Sequence, residues 1–372
     1  MMNEDTAILD EVLLSMVEGI GARTYRQLIG RFGSASAVLN VSRNDLAGFD
    51  FLQPQAAEQL LSARKNIDPV LVIEFCRRNH IDIIPLSDER YPAPLRTISD
   101  PPPILYVRGT LLPADRFSIA VIGTRRSTRY GLRQSERLTA ALVQNGFTII
   151  SGLAQGIDGA AHRTAVNAGG RTIAVLGSGL HRIYPPEHIP LAEEIVQHGG
   201  CLISEYPPLH PTAKWTFPQR NRIVSGLSLG VLIIEAPLKS GAMISARLAG
   251  EQGRDVFAVP GLITSPFSQG CHQLIRDGAY LTESADDILN VLGPMRQSVL
   301  LPGFQKPVRH PNEVSLNEVE QIVLRQFGAA AKTLEAVIAS SGLEPHQVLA
   351  AVGVLEKKCI LRQLSPAEFI RM

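Results

Sequence analysis

Cysteine is scarce in this chain and follows no pattern. Cys76, Cys201, Cys271 and Cys359 lie far apart with no Cys-x-x-Cys spacing, which disfavours a zinc site or a disulfide framework and fits a reducing compartment. No apolar stretch reaches the roughly 20 residues needed to span a bilayer, and no basic start followed by an apolar run and a small-residue cleavage site opens the sequence. A soluble, cytoplasmic protein without membrane contact is expected. Net charge is missing as well: 36 Lys and Arg stand against 35 Asp and Glu. Any affinity for an anionic polymer must therefore come from local clustering.

Several catalytic signatures are absent too. There is no Gly-Lys-[Ser/Thr] phosphate loop, so ATP hydrolysis has no support. The first strand end, Gly123-Thr124-Arg125-Arg126-Ser127-Thr128, cannot be aligned as G-x-G-x-x-G, and Thr148 to Gly152 offers no acidic residue to hold a ribose. NAD binding is disfavoured on both counts. His-Glu-x-x-His is lacking, and Asp158 and His162, a carboxylate and an imidazole four residues apart, have no obvious third ligand. That pair reads as a structural hydrogen bond on one helical face. No cofactor, metal or catalytic residue is expected.

What is present is a long α/β pattern. At 372 residues and 45% hydrophobic composition, the chain suffices for a sizeable core with one or two small accessory domains. Residues 1–68 read as short helices around Gly19-Ile20-Gly21, the spacing of a helix-hairpin-helix turn or of a plain tight turn. From 69 to 292, six runs alternate with helical stretches: Ser118 to Ile122, Thr148 to Ile150, Thr172 to Leu176, Cys201 to Ile203, Val231 to Ile234 and Val256 to Val259. Runs that are apolar throughout predict strands covered on both faces, hence a doubly wound, mostly parallel Rossmann-like sheet. Residues 293–312, rich in proline and glycine, read as a linker. Residues 313–372 read as three helices and a strand-like end, the pattern of a winged helix. The helix beginning Glu344-Pro345-His346-Gln347 lacks the arginine, asparagine or lysine that a major-groove reader would want near its start.

Four clusters each follow a strand and precede a helix, so the parallel sheet would bring them to one edge as a cationic trough floored by glycine. In the first, Gly123 opens a turn whose amides, with Arg125 and Arg126, suit a phosphate. In the second, SGLAQGIDGAAH, Gly152 and Gly156 allow close approach to the backbone, and Ser151 and Gln155 flank them. KWTFPQRNR is the richest, with Lys214, Phe217, Arg220, Asn221 and Arg222 interleaving charge with an aromatic face. That combination is what sequence-tolerant single-strand binding requires. Trp215 is expected to pack against the sheet. In the fourth, EAPLKSGAMISA, Ser240 and Gly241 are placed to donate hydrogen bonds to an anion.

Taken in order, GTRRSTRYG, SGLAQGIDGAAH, VLGSGL, YPPEH, ISEYP, FPQRNRIVSGLS, EAPLKSGAMISA, GRDVFAVPG and GCHQLIRDGA resemble the DNA-processing protein A family (DprA/Smf), densely over residues 69 to 292. The resemblance implies an extended Rossmann-like domain that binds single-stranded DNA, helps load RecA recombinase in natural transformation and forms a homodimer. It would put the family's G-S-R arginine at Arg125, its basic residue and phenylalanine at Lys214 and Phe217, and its R-N-R motif at Arg220, Asn221 and Arg222. Gln155 departs from the lysine or arginine found there in many members, which puts one phosphate contact in doubt.

Two other functions fit parts of the pattern. A phosphoribohydrolase-type nucleotide enzyme would use Glu235, the one strand-end carboxylate able to act as a base, but the loop after it lacks that class's P-G-G-x-G-T-x-x-E run. A duplex-binding regulator would act through the carboxy-terminal segment instead.

Overall fold

The first part of the chain forms nine strands, and all but the last of them follow from residues that are largely aliphatic or β-branched. They are β1 (Ile81–Pro85), β2 (Ile104–Gly109), β3 (Ser118–Ile122), β4 (Thr148–Ser151), β5 (Thr172–Val175), β6 (Cys201–Ser204), β7 (Gly230–Ile233), β8 (Asp255–Ala258) and β9 (Tyr280–Leu281). They pair as one sheet in the order β1-β2-β6-β5-β4-β3-β7-β8-β9. The seven strands from β6 to β9 are parallel, while β2 joins β1 and β6 in antiparallel register. The six expected runs are all strands; the two-residue β9 was not anticipated.

The computed structural model describes residues 2–46, 48–299, 317–327, 332–357, 361–365 and 368–371. The chain divides into two compact units, Met1–Gly303 and Phe304–Met372.

Every residue of β3, β4, β5, β6 and β7 is buried, as strands sheathed by helices on both faces must be. Alternation divides them between two cores. Ala120 and Ile122 pack on one face with Ile150, Ile173, Val231 and Ile233; Ile119 and Val121 pack on the other with Ile149 and Leu232. Burying each of these isoleucine, valine and leucine side chains stabilises the sheet by roughly 1.5–3 kcal/mol. Connections are helical: Arg129–Gln144 after β3, Ile157–Asn167 after β4, Thr216–Leu227 before β7 and Gly241–Glu251 after it.

The amino-terminal helices Met2–Ser15, Ala22–Phe32, Ala35–Leu39 and Pro54–Asn66 belong to this first unit. They share a core of Leu14, Leu28, Val38 and Leu60, while Val12 packs with Cys76, Ile81 and Tyr106 of the sheet region. Gly19 has a φ of 86° and lies against Ala56 with no room for a side chain, so the turn between the first two helices requires glycine there. At the other end, the helix Ala285–Val299 runs past the expected start of the linker at 293. Residues 300–312 lie outside the described residues.

The second unit has three helices, Glu318–Gln326, Leu334–Ser341 and Pro345–Lys357, with β10 (Lys332–Thr333), β11 (Leu361–Ser365) and β12 (Glu368–Arg371). The strands pair antiparallel in the order β10-β12-β11. Its core is Val323, Phe327, Val337, Val348, Leu355, Leu361 and Phe369.

Candidate nucleic-acid interface

The sheet reverses direction between β3 and β7. Successive strands step one way from β3 to β6 and the other way from β7 to β9, so the loops leaving β3 and β7 part company and open a crevice at their carboxyl ends. Thr124 N–H donates to the Glu235 carbonyl at 2.8 Å, which holds the two loops together at the crevice floor. Gly156, at a φ of 78°, packs against the Thr124 and Arg125 carbonyls where a Cβ would overlap them, and so brings in the loop after β4.

A cavity of about 630 Å³ occupies this crevice. Ten of the residues expected from the sequence line it: Gly123, Arg125, Arg126, Gly152, Lys214, Phe217, Arg220, Asn221, Ser240 and Gly241. Lys214, Arg125 and Arg126 are exposed, and among the described residues no acidic side chain pairs with any of them. The Arg125 guanidinium lies over the half-buried Phe217 ring at 4.8 Å, and Tyr184 meets that ring from 5.8 Å. Opposite them, Ser240 caps the helix Gly241–Glu251 without a side-chain hydrogen bond, and its buried hydroxyl has no partner. Two further lining residues, Tyr184 and Lys239, were not singled out from the sequence, although YPP and PLKSG stand within recognised motifs.

Arg220 forms the inner wall. Its Nη1 donates to the Val175 carbonyl at the end of β5 at 2.6 Å, and its guanidinium fills the space beside Gly152 where any side chain would go. Burial holds its pKa down at about 10, opposed by the nearby Asp158 carboxylate, so it stays cationic at neutral pH. Asp158 is buried too, which raises its pKa, with Arg220 and the Gly152 and Ala154 amides pulling the other way. Its Oδ2 accepts from Gly152 N–H at 3.2 Å. His162 Nε2 accepts from Leu153 N–H at 3.3 Å, while Nδ1 meets Thr172 Oγ1 at 2.7 Å. Asp158 and His162 therefore brace adjacent amides of one loop and do not bond each other, contrary to expectation.

A family model for the DNA recombination-mediator protein A matches residues 82–293. The chain belongs to this family. Its relatives include the Smf protein of Escherichia coli, 44% identical over 238 residues, which are 64% of this chain and 63% of that protein. The DNA processing protein DprA of Bacillus subtilis is 44% identical over 223 residues, 59% of this chain and 74% of its own length. Among solved structures, DprA from Streptococcus pneumoniae superposes with a TM-score of 0.66 at 33% identity, covering 75% of this chain and 95% of that one. DprA from Helicobacter pylori, solved for its single-stranded DNA binding mode, gives 0.52 at 33% identity over 58% of this chain and 98% of that one.

Four of the positions expected from the sequence stand outside the cavity. Arg222 is the clearest correction. Its guanidinium bonds Glu205 at 2.6 and 2.9 Å and the Asp100 carbonyl at 3.0 Å, buried on the opposite face of the helix Thr216–Leu227 from Arg220. Ser151 is buried and donates its hydroxyl to the Val121 carbonyl at 2.7 Å, which ties β4 to β3 and presents nothing to a ligand. Gln155 is exposed and donates to Glu187 at 2.6 Å. Gly156 opens instead onto a neighbouring groove. Trp215 also corrects the sequence reading: it is 54% exposed rather than packed on the sheet, edge-on to Tyr206 and His210.

Glu235 is 2% exposed. Its carboxylate accepts from Thr128 N–H at 2.9 Å and Thr128 Oγ at 2.6 Å, at the amino-terminal end of the helix Arg129–Gln144, where negative charge is stabilised. Among the described residues no group of three acidic, histidine or cysteine side chains is placed to hold a metal, and no helix is long and apolar enough to cross a membrane.

Proposed function

We propose that the switch-point cavity binds single-stranded DNA with little regard to sequence, and that the chain is a recombination mediator which protects incoming strands and loads RecA recombinase during natural transformation. The observation that carries this reading is the convergence of Arg125, Lys214, Lys239 and Arg220 with the Phe217 and Tyr184 rings on one cavity. Cations neutralise phosphates whatever the base, and an aromatic face stacks on any base that is not already paired. Paired bases within a duplex present edges instead of faces, so the unpaired polymer is favoured.

We read the chain as a binding protein and not as an enzyme. Glu235 is committed to Thr128, which supports its role as a loop anchor over that of a catalytic base. A homodimer is proposed on two features of the first unit. Strand β9 is an open edge with Tyr280 and Leu281 exposed, and Leu262 and Ile263 beyond β8 are 75% and 85% exposed; unpaired edges and exposed apolar side chains invite a partner. The second unit, with three helices and a small antiparallel sheet, is read as a winged-helix module serving protein contact. The amino-terminal helices are read as a helix-hairpin-helix-like domain, and the cytoplasm as the compartment.

The test is competition between an oligonucleotide and its duplex for the full-length protein, followed by salt titrations of Arg125→Ala and Lys214→Ala. Single strands should win, and each substitution should lower the slope of log affinity against log salt by about 0.7. Equal affinity for both forms, with unaltered slopes in both variants, would remove the cavity from the reading.

A further inference from the structure

A second cationic groove adjoins the cavity. It has a volume of about 860 Å³ and runs between the helices Arg129–Gln144 and Ile157–Asn167. Arg125 and Arg126 line both the cavity and the groove, so the two share a wall of guanidinium groups. From that wall the groove passes between Arg137 on one helix and Arg163 on the other, over a floor that includes Ala140 and Ala160. Gly156 to Arg163 spans seven residues of helix, about 10 Å at 1.5 Å per residue.

The charge of the groove is uncompensated. Four arginines line it against one carboxylate, Glu136. Among the described residues the Arg126 and Arg163 side chains have no hydrogen-bond or ion-pair partner, and Arg137 spends its guanidinium on neutral oxygens of Gln134 and Glu283. Unpaired guanidiniums facing one channel attract a polyanion, and a forked guanidinium can grip two oxygens of one phosphate. The lining has no Phe, Tyr or Trp. A base would find no face to stack on here, in contrast to the cavity with its Phe217 and Tyr184.

We propose that a single strand leaving the cavity turns at Arg126 and continues along this groove, held there by its phosphates through Arg163 and Arg137. The proposal rests on the cavity being a single-strand site and adds the direction in which the strand leaves it. It also supplies cations close to position 155, where Gln155 is bound to Glu187.

Length dependence tests it. Affinities of the full-length protein are measured by fluorescence anisotropy for oligothymidylates of about 5 and about 20 nucleotides, spanning the range of known single-strand site sizes. Arg163→Glu should leave the short oligonucleotide unaffected, weaken the long one by about tenfold and reduce its salt slope by about 0.7. Arg137→Glu should do the same. Arg163 is exposed and unbonded, so the variant should unfold at the wild-type temperature. Arg125→Ala should weaken both lengths. Equal losses on the two lengths with Arg163→Glu, or none on either, would overturn the extended path. If Arg125→Ala leaves both lengths untouched, the cavity reading fails by a separate route.

Discussion

The Arg125 guanidinium lies 4.8 Å from the centroid of the Phe217 ring, joining the turn after β3 to the helix that precedes β7. An exposed contact of this kind is worth about 0.5–1 kcal/mol, and it holds both groups at the mouth of the cavity before any ligand arrives. Affinity for single-stranded DNA should fall in Arg125→Ala and in Phe217→Ala. The double variant should lose less than the sum of the two, because each single change already frees the other partner. Arg125→Lys should fall between wild type and alanine, since it keeps the charge without the planar face. Strictly additive losses would show that the pair does not act as one unit.

Arg222 should behave as a stability residue. It is buried with Glu205 and lies 3.4 Å from Asp100, and removing it strands carboxylates that were desolvated to meet it. Breaking such a buried pair costs about 3–5 kcal/mol. Arg222→Ala should thus shift the urea midpoint strongly downward. Measured in low urea, where it remains folded, its salt slope for oligonucleotide binding should equal the wild type's; a slope smaller by about 0.7 would place Arg222 on the DNA after all.

The contrast between Arg220 and Arg222 shows where sequence stops informing. The strands were legible because unbroken apolar runs such as Ser118 to Ile122 have one physical outcome in a sheathed sheet. The cavity was legible because strand-end loops of a parallel sheet converge whatever their content. Which arginine faces the crevice depended on knowing that the helix begins at Thr216. Once it does, residues two apart cannot share a face, and one of the pair must point away. Trp215 precedes that first turn, and its exposure followed from a boundary that KWTFPQRNR does not mark. Strand β9 is two exposed residues long and carries no apolar run to read. For Glu235, the sequence shows a carboxylate at a strand end but not that Thr128, over a hundred positions earlier, closes on it.

His162 makes stability depend on acid. Burial, with the positive charges of His188 and Arg220 adding to it, pushes its pKa from 6.5 down to about 3. The unfolded chain therefore takes up a proton below pH 6.5 that the folded chain refuses. Stability should be fully present above that pH and fall by up to about 1.4 kcal/mol per pH unit on the way toward pH 3. Asp158 acts in the opposite sense, since its raised pKa lets the folded state bind a proton first. Comparison with His162→Gln isolates the histidine. The variant should be less stable at pH 7.5, having lost the Thr172 and Leu153 bonds, yet decline less steeply between pH 6 and pH 4 in urea denaturation. Parallel pH profiles for the two proteins would reject the assignment.

Gly152 couples the fold to the cavity through Arg220. A Cβ at this position would overlap the guanidinium, and neither party can yield freely: Arg220 is bonded to the Val175 carbonyl, and the Gly152 amide is bonded to Asp158. Gly152→Ala should destabilise the protein by about 1–3 kcal/mol, as overpacking does, and should weaken single-strand binding by displacing the innermost cation. Combining it with Arg220→Lys separates these effects. The slimmer lysine relieves the overlap and keeps a positive charge, so the double variant should recover part of the stability that Gly152→Ala loses. Without the fork that reaches Val175 it should bind DNA no better than Arg220→Lys alone. Gly152→Ala with wild-type stability and affinity would mean that the loop has room to move, and that Arg220 is not clamped against it.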